Sequence, residues 1–198
     1  MQKLIWKFRV WGGKLQRILL RYIFKFDHWH VFTLAEKNYA QDIITYCNAR
    51  TKRDSFAEIG CGLGDIVRHV HYREKQGYDM DDRALNAARF LSAFNAGKKS
   101  SFSVFTFPDS KLSGKYDVIV LVNWIHHIEP AMLRSSIGSY FKNALNDDGD
   151  IIVDTVQDPE YKFNHDIRVL TDGINSGVSK LGDYERQRQV WIIKKQVT

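Results

Sequence analysis

The sequence predicts an α/β fold: a doubly wound, mostly parallel sheet that ends in an antiparallel hairpin and is preceded by a helical extension. Three observations predict it. From residue 38 onward helical and strand-like segments alternate, the order that builds a parallel sheet with helices on both faces. Glycines at 60, 62 and 64 follow the short apolar run Phe56–Ile59, which places them at a strand-to-helix turn. Tyr116-Asp117-Val118-Ile119-Val120-Leu121-Val122 is continuous enough for a central parallel strand.

The 198 residues, 44% hydrophobic and 26% charged, suit one such domain with an appendage. The division falls into a basic helical extension over 1–37 and the domain over 38–198. Cys47 and Cys61 match no metal spacing and point to a reducing cytoplasm. Residues 1–30 hold seven basic residues against Asp27, a net of +6, so the rest of the chain is neutral. Those cations interrupt the apolar residues, which excludes a signal peptide or spanning helix there.

In order along the chain, the extension reads as two helical pieces broken at Gly12-Gly13, mixing cations with aromatic and apolar residues. Tyr39, Ile43, Tyr46 and Cys47 make a helical stripe, and Asp65 to about Tyr72 reads as the helix after the glycines. Gly77-Tyr78-Asp79-Met80 ends a second strand, with Asp81 placed to cap a helix whose apolar face is Ala84, Ala87, Ala88, Leu91 and Phe94. A third strand is expected around 102–107, before Pro108-Asp109. Pro130 suits the first turn of a helix that Asn146-Asp147-Asp148-Gly149 would end. Ile151-Ile152-Val153 begins a fifth strand, and 178–195 reads as the closing hairpin.

Two nucleotide chemistries share a glycine turn at the carboxyl end of a first strand. A dinucleotide site wants G-x-G-x-x-G and rests a pyrophosphate on the next helix. Here the spacing is Gly60-x-Gly62-x-Gly64, and Glu58 precedes it by two residues. A carboxylate repels a pyrophosphate but favours a cation. Asp79, about twenty residues on, could accept from both hydroxyls of a ribose. These residues describe a cationic nucleoside without phosphate, and S-adenosylmethionine, a sulfonium with an amino-acid tail, fits.

The segments E-I-G-C-G-L-G-D, G-Y-D-M and Y-D-V-I-V-L-V-N-W-I-H-H-I, in order across 54–156, resemble class I S-adenosylmethionine-dependent methyltransferases. The resemblance implies a Rossmann-like, seven-stranded sheet with one antiparallel strand, and S-adenosylhomocysteine as product. It implies Glu58, Gly60, Cys61, Gly62 and Gly64 around the methionine moiety, Asp79 at the ribose and Met80 near the adenine. Asn123 and Trp124 would line the methyl. The family often has an acid facing the adenine amino group; this chain has Phe105-Thr106-Phe107, so Phe107 or backbone is the expected contact.

Methyl transfer to a hydroxyl asks for alignment and a base near strands four and five. The candidates are His126, His127, Asp154 and His165. His28 and His30 lack the third ligand of a metal site, and no metal is expected. His69 and His71 are expected at the surface, and Trp29 in packing. A narrower likeness rests on Phe26-Asp27-His28-Trp29-His30, Asn123-Trp124-Ile125-His126 and Tyr161-x-Phe-Asn-His-Asp. It resembles small bacterial methyltransferases of surface-polysaccharide assembly, such as O-antigen or capsule, and implies a glycan or lipid-linked glycan acceptor. Residues 1–30 would either rest on anionic lipid or close over the site as a lid. The neutral body counts against nucleic acid as a partner. RNA or a small molecule as acceptor, and a non-catalytic cofactor-binding scaffold, are the competing readings; no oligomeric state is implied.

Overall fold

The computed structural model describes residues 2–94 and 100–196, with side chains from Val10 onward. A long helix α1 (Gln2–Phe24) leads through two short 3-10 turns (His28–Val31 and Leu34–Glu36) into α2 (Asn38–Ala49). Then come β1 (Ser55–Ile59), β2 (Glu74–Asp79), α3 (Asp82–Ala93), β3 (Ser100–Val104) and β4 (Tyr116–Leu121). After a 3-10 turn (Ile125–His127) follow α4 (Pro130–Asn143), β5 (Leu145–Thr155), the short α5 (Ile167–Leu170), β6 (Ser176–Tyr184) and β7 (Arg188–Lys195).

The strands form one seven-stranded sheet in the order β3-β2-β1-β4-β5-β7-β6. All neighbours pair in parallel except β7, which runs antiparallel to both β5 and β6. The order reverses between β1 and β4, so their carboxyl ends open the crevice in which such sheets bind ligands. Every residue of β4 is buried. Its side chains alternate: Val118 and Val120 pack with Ile43, Cys47 and Phe56, while Ile119 and Leu121 pack with Leu133 and Ile137 of α4. A continuous apolar strand therefore fills two cores. The tight link from β6 to β7 places Arg186 and Gln187 at φ 60° and 50°, the left-handed geometry of a narrow hairpin turn.

Four segments depart from the expected pattern. α1 runs unbroken through Gly12-Gly13. A side chain at 13 would meet Thr33 Cγ2 at 3.0 Å, so the glycine there serves close approach of the helix to the chain beyond it. Lys25, at φ 61°, ends the helix in a left-handed residue instead. Residues 62–69 form consecutive turns, not a helix; with Gly62 and Gly64 left-handed and the Val67 N–H given to Glu58, only isolated helical bonds such as Arg68 to Gly64 and Val70 to Ile66 form. The third strand stops at Val104 rather than 107. Residues 146–149 do not simply end α4: β4–β5 pairing jumps from Tyr116↔Leu145 to Val118↔Asp150, leaving them as a bulge within β5. Asp150, buried where pairing resumes, is held by the Tyr46 hydroxyl at 2.7 Å and by Arg50.

α1 lies on the domain by its Leu20 side, in a small core with Phe26, Leu63, Ala84, Ala87 and Leu91. Arg17, buried on the same side, reaches Asp65 at 2.5 Å and the carbonyls of His30 and Phe32. Lys37 meets the same carboxylate at 2.9 Å and Arg68 at 3.5 Å. The first residues after the glycine turn are thus tied to α1 through one buried acid.

Candidate active site

The glycine turn leaves β1 with Gly60, Gly62 and Gly64 at φ 76°, 52° and 72°, the left-handed region that side chains disfavour. Its N–H groups are directed inward. Those of Gly60 and Cys61 donate to the Tyr78 carbonyl at 2.7 and 2.9 Å, and that of Gly62 donates to Asp79 at 2.7 Å. A pyrophosphate cradle needs such N–H groups free. Here they are spent on β2, and what this part of the turn offers a ligand is acidic.

Asp79 accepts from Gly62 with one oxygen and from Asp81 at 3.0 Å with the other. A carboxylate keeps a further lone pair on each oxygen for hydroxyl donors. Glu58 is buried and accepts from the Val67 N–H at 2.8 Å. Burial pushes its carboxyl up to about 8, against the opposing Val67 bond, so at neutral pH it is largely protonated. A cation arriving beside it favours the ionised form. The neighbouring Cys61 thiol is buried and its titration is pushed well up by desolvation, which leaves it an inert small hydrophobe. Acidic groups beside a turn whose Gly60, Cys61 and Gly62 N–H groups are already bonded suit a sulfonium nucleoside better than a pyrophosphate.

Two rings cover the bare glycines. A Cβ at Gly60 would collide with the Trp124 indole, whose N–H donates to the Ile59 carbonyl at 2.6 Å. A Cβ at Gly62 would sit 2.7 Å from His30 Nδ1. Phe107 meets Trp124 edge to face at 5.2 Å, and Met80 is exposed. His30, read from sequence as a doubtful ligand, is thus a wall of the turn, brought there by the 3-10 turn after α1; burial lowers its affinity for a proton. Among the described residues no group of His, Cys, Asp and Glu could hold a metal ion. Trp29 departs from the packing expectation: it is 55% exposed, edge-on to the ring of His28 and tilted against that of His30. His69 and His71 lie at the surface, as expected.

Just past β4, Asn123 adopts φ 73°, a left-handed conformation asparagine tolerates. Its N–H donates to Asp154 at 3.0 Å, and its side-chain oxygen accepts from Arg188 at 3.0 Å. Arg188, buried on β7, also pairs with Asp154 and lies 4.7 Å from the Tyr39 ring centre. His126 is enclosed with its Nε2 at 3.3 Å from Asp154. Burial first, then the Arg188 charge, lowers it to about 4, so it is neutral at pH 7 and donates to the carboxylate. His165, also enclosed, donates from Nε2 to the Ile125 carbonyl at 2.9 Å. The structure therefore gathers His126, His165 and Asp154 behind Asn123, while His127 stays exposed against Tyr161. Arg188, Tyr39 and the Arg17–Asp65 contact escaped sequence reasoning. An arginine near the start of a hairpin strand carries no local signature, and its partners lie 34 and 65 residues away.

Residues 57–151 match the family described as a methyltransferase domain. Nothing matches among curated protein sequences. Among solved structures, the N-methyltransferase NodS from Bradyrhizobium japonicum WM9, in complex with S-adenosyl-L-homocysteine, is similar at TM-score 0.71 and 14% identity, over 93% of this chain and all of its own. Magnesium protoporphyrin IX methyltransferase from Synechocystis PCC 6803 gives TM-score 0.67 and 12% identity, over 99% of this chain and 100% of its own. CalS10, an amino pentose methyltransferase from Micromonospora echinaspora, gives 0.63 and 10%, over 88% and 94%. With the matched domain, this fold and an acidic donor turn, the chain is an S-adenosylmethionine-dependent methyltransferase.

Proposed function

We propose that this enzyme methylates a hydroxyl oxygen of a glycan or lipid-linked surface polysaccharide. When bound, the cofactor supplies an electrophilic methyl whose sulfur leaves as a neutral thioether, so no acid is required on that side. Glu58, Gly60, Cys61, Gly62 and Gly64 hold its methionine end, Asp79 its ribose, Met80 and Phe107 its adenine, and Asn123 with Trp124 border the methyl. The protein's remaining tasks are to align the acceptor and to receive its proton.

The observation that carries the reading is the ring-rich border of the donor turn: Trp124 against Gly60, His30 against Gly62, Phe107 against Trp124 and the exposed Trp29 nearby in sequence. Flat apolar faces with imidazole and indole edges suit the faces and hydroxyls of a sugar ring. That a protein of the same fold is an amino pentose methyltransferase adds support. His127, exposed beside Tyr161, takes the hydroxyl proton; the enclosed His126, Asp154 and His165 position the segment that carries it.

Incubating the full chain with labelled S-adenosylmethionine and fractionated cell extract tests the acceptor. Label should enter the glycan or lipid-linked glycan fraction; label confined to RNA overturns the reading. His127→Ala should lower kcat by about 10²–10⁴-fold, the span of a lost general base, with S-adenosylhomocysteine affinity unchanged. Unaltered kcat in that variant removes His127 from the role.

A further inference from the structure

α1 has two faces of opposite character. Leu20 and Arg17 face the domain and are buried. Trp11, Leu15, Ile18 and Tyr22 recur at intervals of four, three and four, which places them along one side, and Leu19 and Ile23 widen that stripe. All six are exposed, Trp11 by 72% and Tyr22 by 86%. Six large apolar side chains on one helix face make a patch that a soluble monomer rarely leaves bare. At 100° per residue, Lys14 and Arg21 fall along one border of it, Lys14 paired with Glu36 at 2.6 Å and Arg21 donating to the Phe26 carbonyl at 3.3 Å, and Lys25 follows the last turn.

We propose that this face seats the enzyme on the surface of an anionic bilayer, with α1 lying in the headgroup plane. Charge argues for lipid as the occupant. The net excess of +6 belongs to residues 1–30 and the remaining chain is neutral. Arg17 and Lys14 are paired with Asp65 and Glu36, and the other basic residues make this segment the cationic end that an anionic surface attracts. The residue types agree, since Trp and Tyr favour the headgroup level while Leu and Ile enter the acyl boundary. Among the described residues no helix is long and apolar enough to cross a membrane, so α1 lies on the surface. Because Arg17 on the opposite face grips Asp65, the donor turn sits about one helix diameter, ~10 Å, from the lipid. The inference does not depend on the acceptor being a glycan.

The experiment is flotation of the full chain with phosphatidylcholine vesicles, with and without phosphatidylglycerol, for the wild type and an Ile18→Gln/Tyr22→Gln variant. Both side chains are exposed, so S-adenosylhomocysteine affinity serves as the control of folding and should not change. The wild type should float with phosphatidylglycerol-containing vesicles, release as salt rises, and bind them at least about tenfold better than the variant. Equal flotation of variant and wild type, equal flotation on both vesicles, or no flotation at all overturns the proposal. So does a wild-type dimer in light scattering that the variant dissolves, since the stripe then covers a second copy of the chain.

Discussion

Gly62 shows how one position can serve two constraints. Its left-handed φ of 52° strains any side chain, and a Cβ would also press on His30 at 2.7 Å. Gly62→Ala should destabilise by roughly 1–3 kcal/mol in chemical denaturation. Adding His30→Ala should recover only the part due to the ring; full recovery would show that the dihedral was not strained. Glu58 makes a second prediction. With its carboxyl held near 8 by burial, binding of the cationic cofactor at pH 7 should release up to about one proton. Calorimetry in buffers of different ionisation enthalpy reads that release, and Glu58→Gln should abolish it. Identical apparent enthalpies for the wild type in all buffers would refute it. The glycines, Glu58 and Asp79 were legible because their spacing along ten to twenty residues encodes the turn. Of the rings over them, Trp124 was named at the donor site only through the family resemblance, and His30 was not placed there, because it approaches from 32 residues away and nothing near Gly62 announces it.

At the scale of elements, strands and helix faces could be read while their irregularities could not. β4 was legible because a run of apolar residues buried on both sides has one reading, and Asp81 does cap α3 by accepting from Arg83. The break expected at Gly12-Gly13 does not occur. A glycine costs a helix interior about 1 kcal/mol, which the packing of Leu20 and the Arg17–Asp65 contact outweighs. The expected helix after Gly64 fails for the opposite reason, since the turn's own geometry and the Glu58–Val67 bond pre-empt it. Arg188 joins β7 to the segment after β4. Breaking its buried pair with Asp154 by Arg188→Met should cost about 3–5 kcal/mol. The paired change Arg188→Met/Asp154→Leu should restore much of that stability, yet leave kcat low, because Asn123 loses both of its anchors. Wild-type kcat in the double variant would make the pair structural alone.

For the whole molecule, buried titrating groups set opposing limits on stability. Glu58 carries a raised pKa, so between the ordinary 4.5 and about 8 the folded chain holds a proton that the unfolded chain releases; stability falls as pH rises through that window. Asp65 is held far below the ordinary 3.8 by Lys37, Arg17 and Arg68 in spite of its burial, and its contribution, present above 3.8, is lost as pH falls. His126, lowered to about 4, acts in the same direction, with stability declining as pH drops from 6.5 towards 4. Denaturant midpoints across pH 3 to 9 should therefore decline on both sides. Glu58→Gln should flatten the alkaline limb, and Asp65→Asn should lower the neutral plateau and flatten the acid limb.

The placement of β7 between β5 and β6 has a consequence for a chain emerging from the ribosome. β6 is made first but touches the sheet only through β7. Until residues 188–195 have been synthesised, β6 has no strand to pair with, and the border of β5 that β7 will cover stands bare with unpaired amides. Completion of that last strand joins both at once, so the nascent protein passes through an interval of exposure to chaperones or to a neighbouring chain that later vanishes.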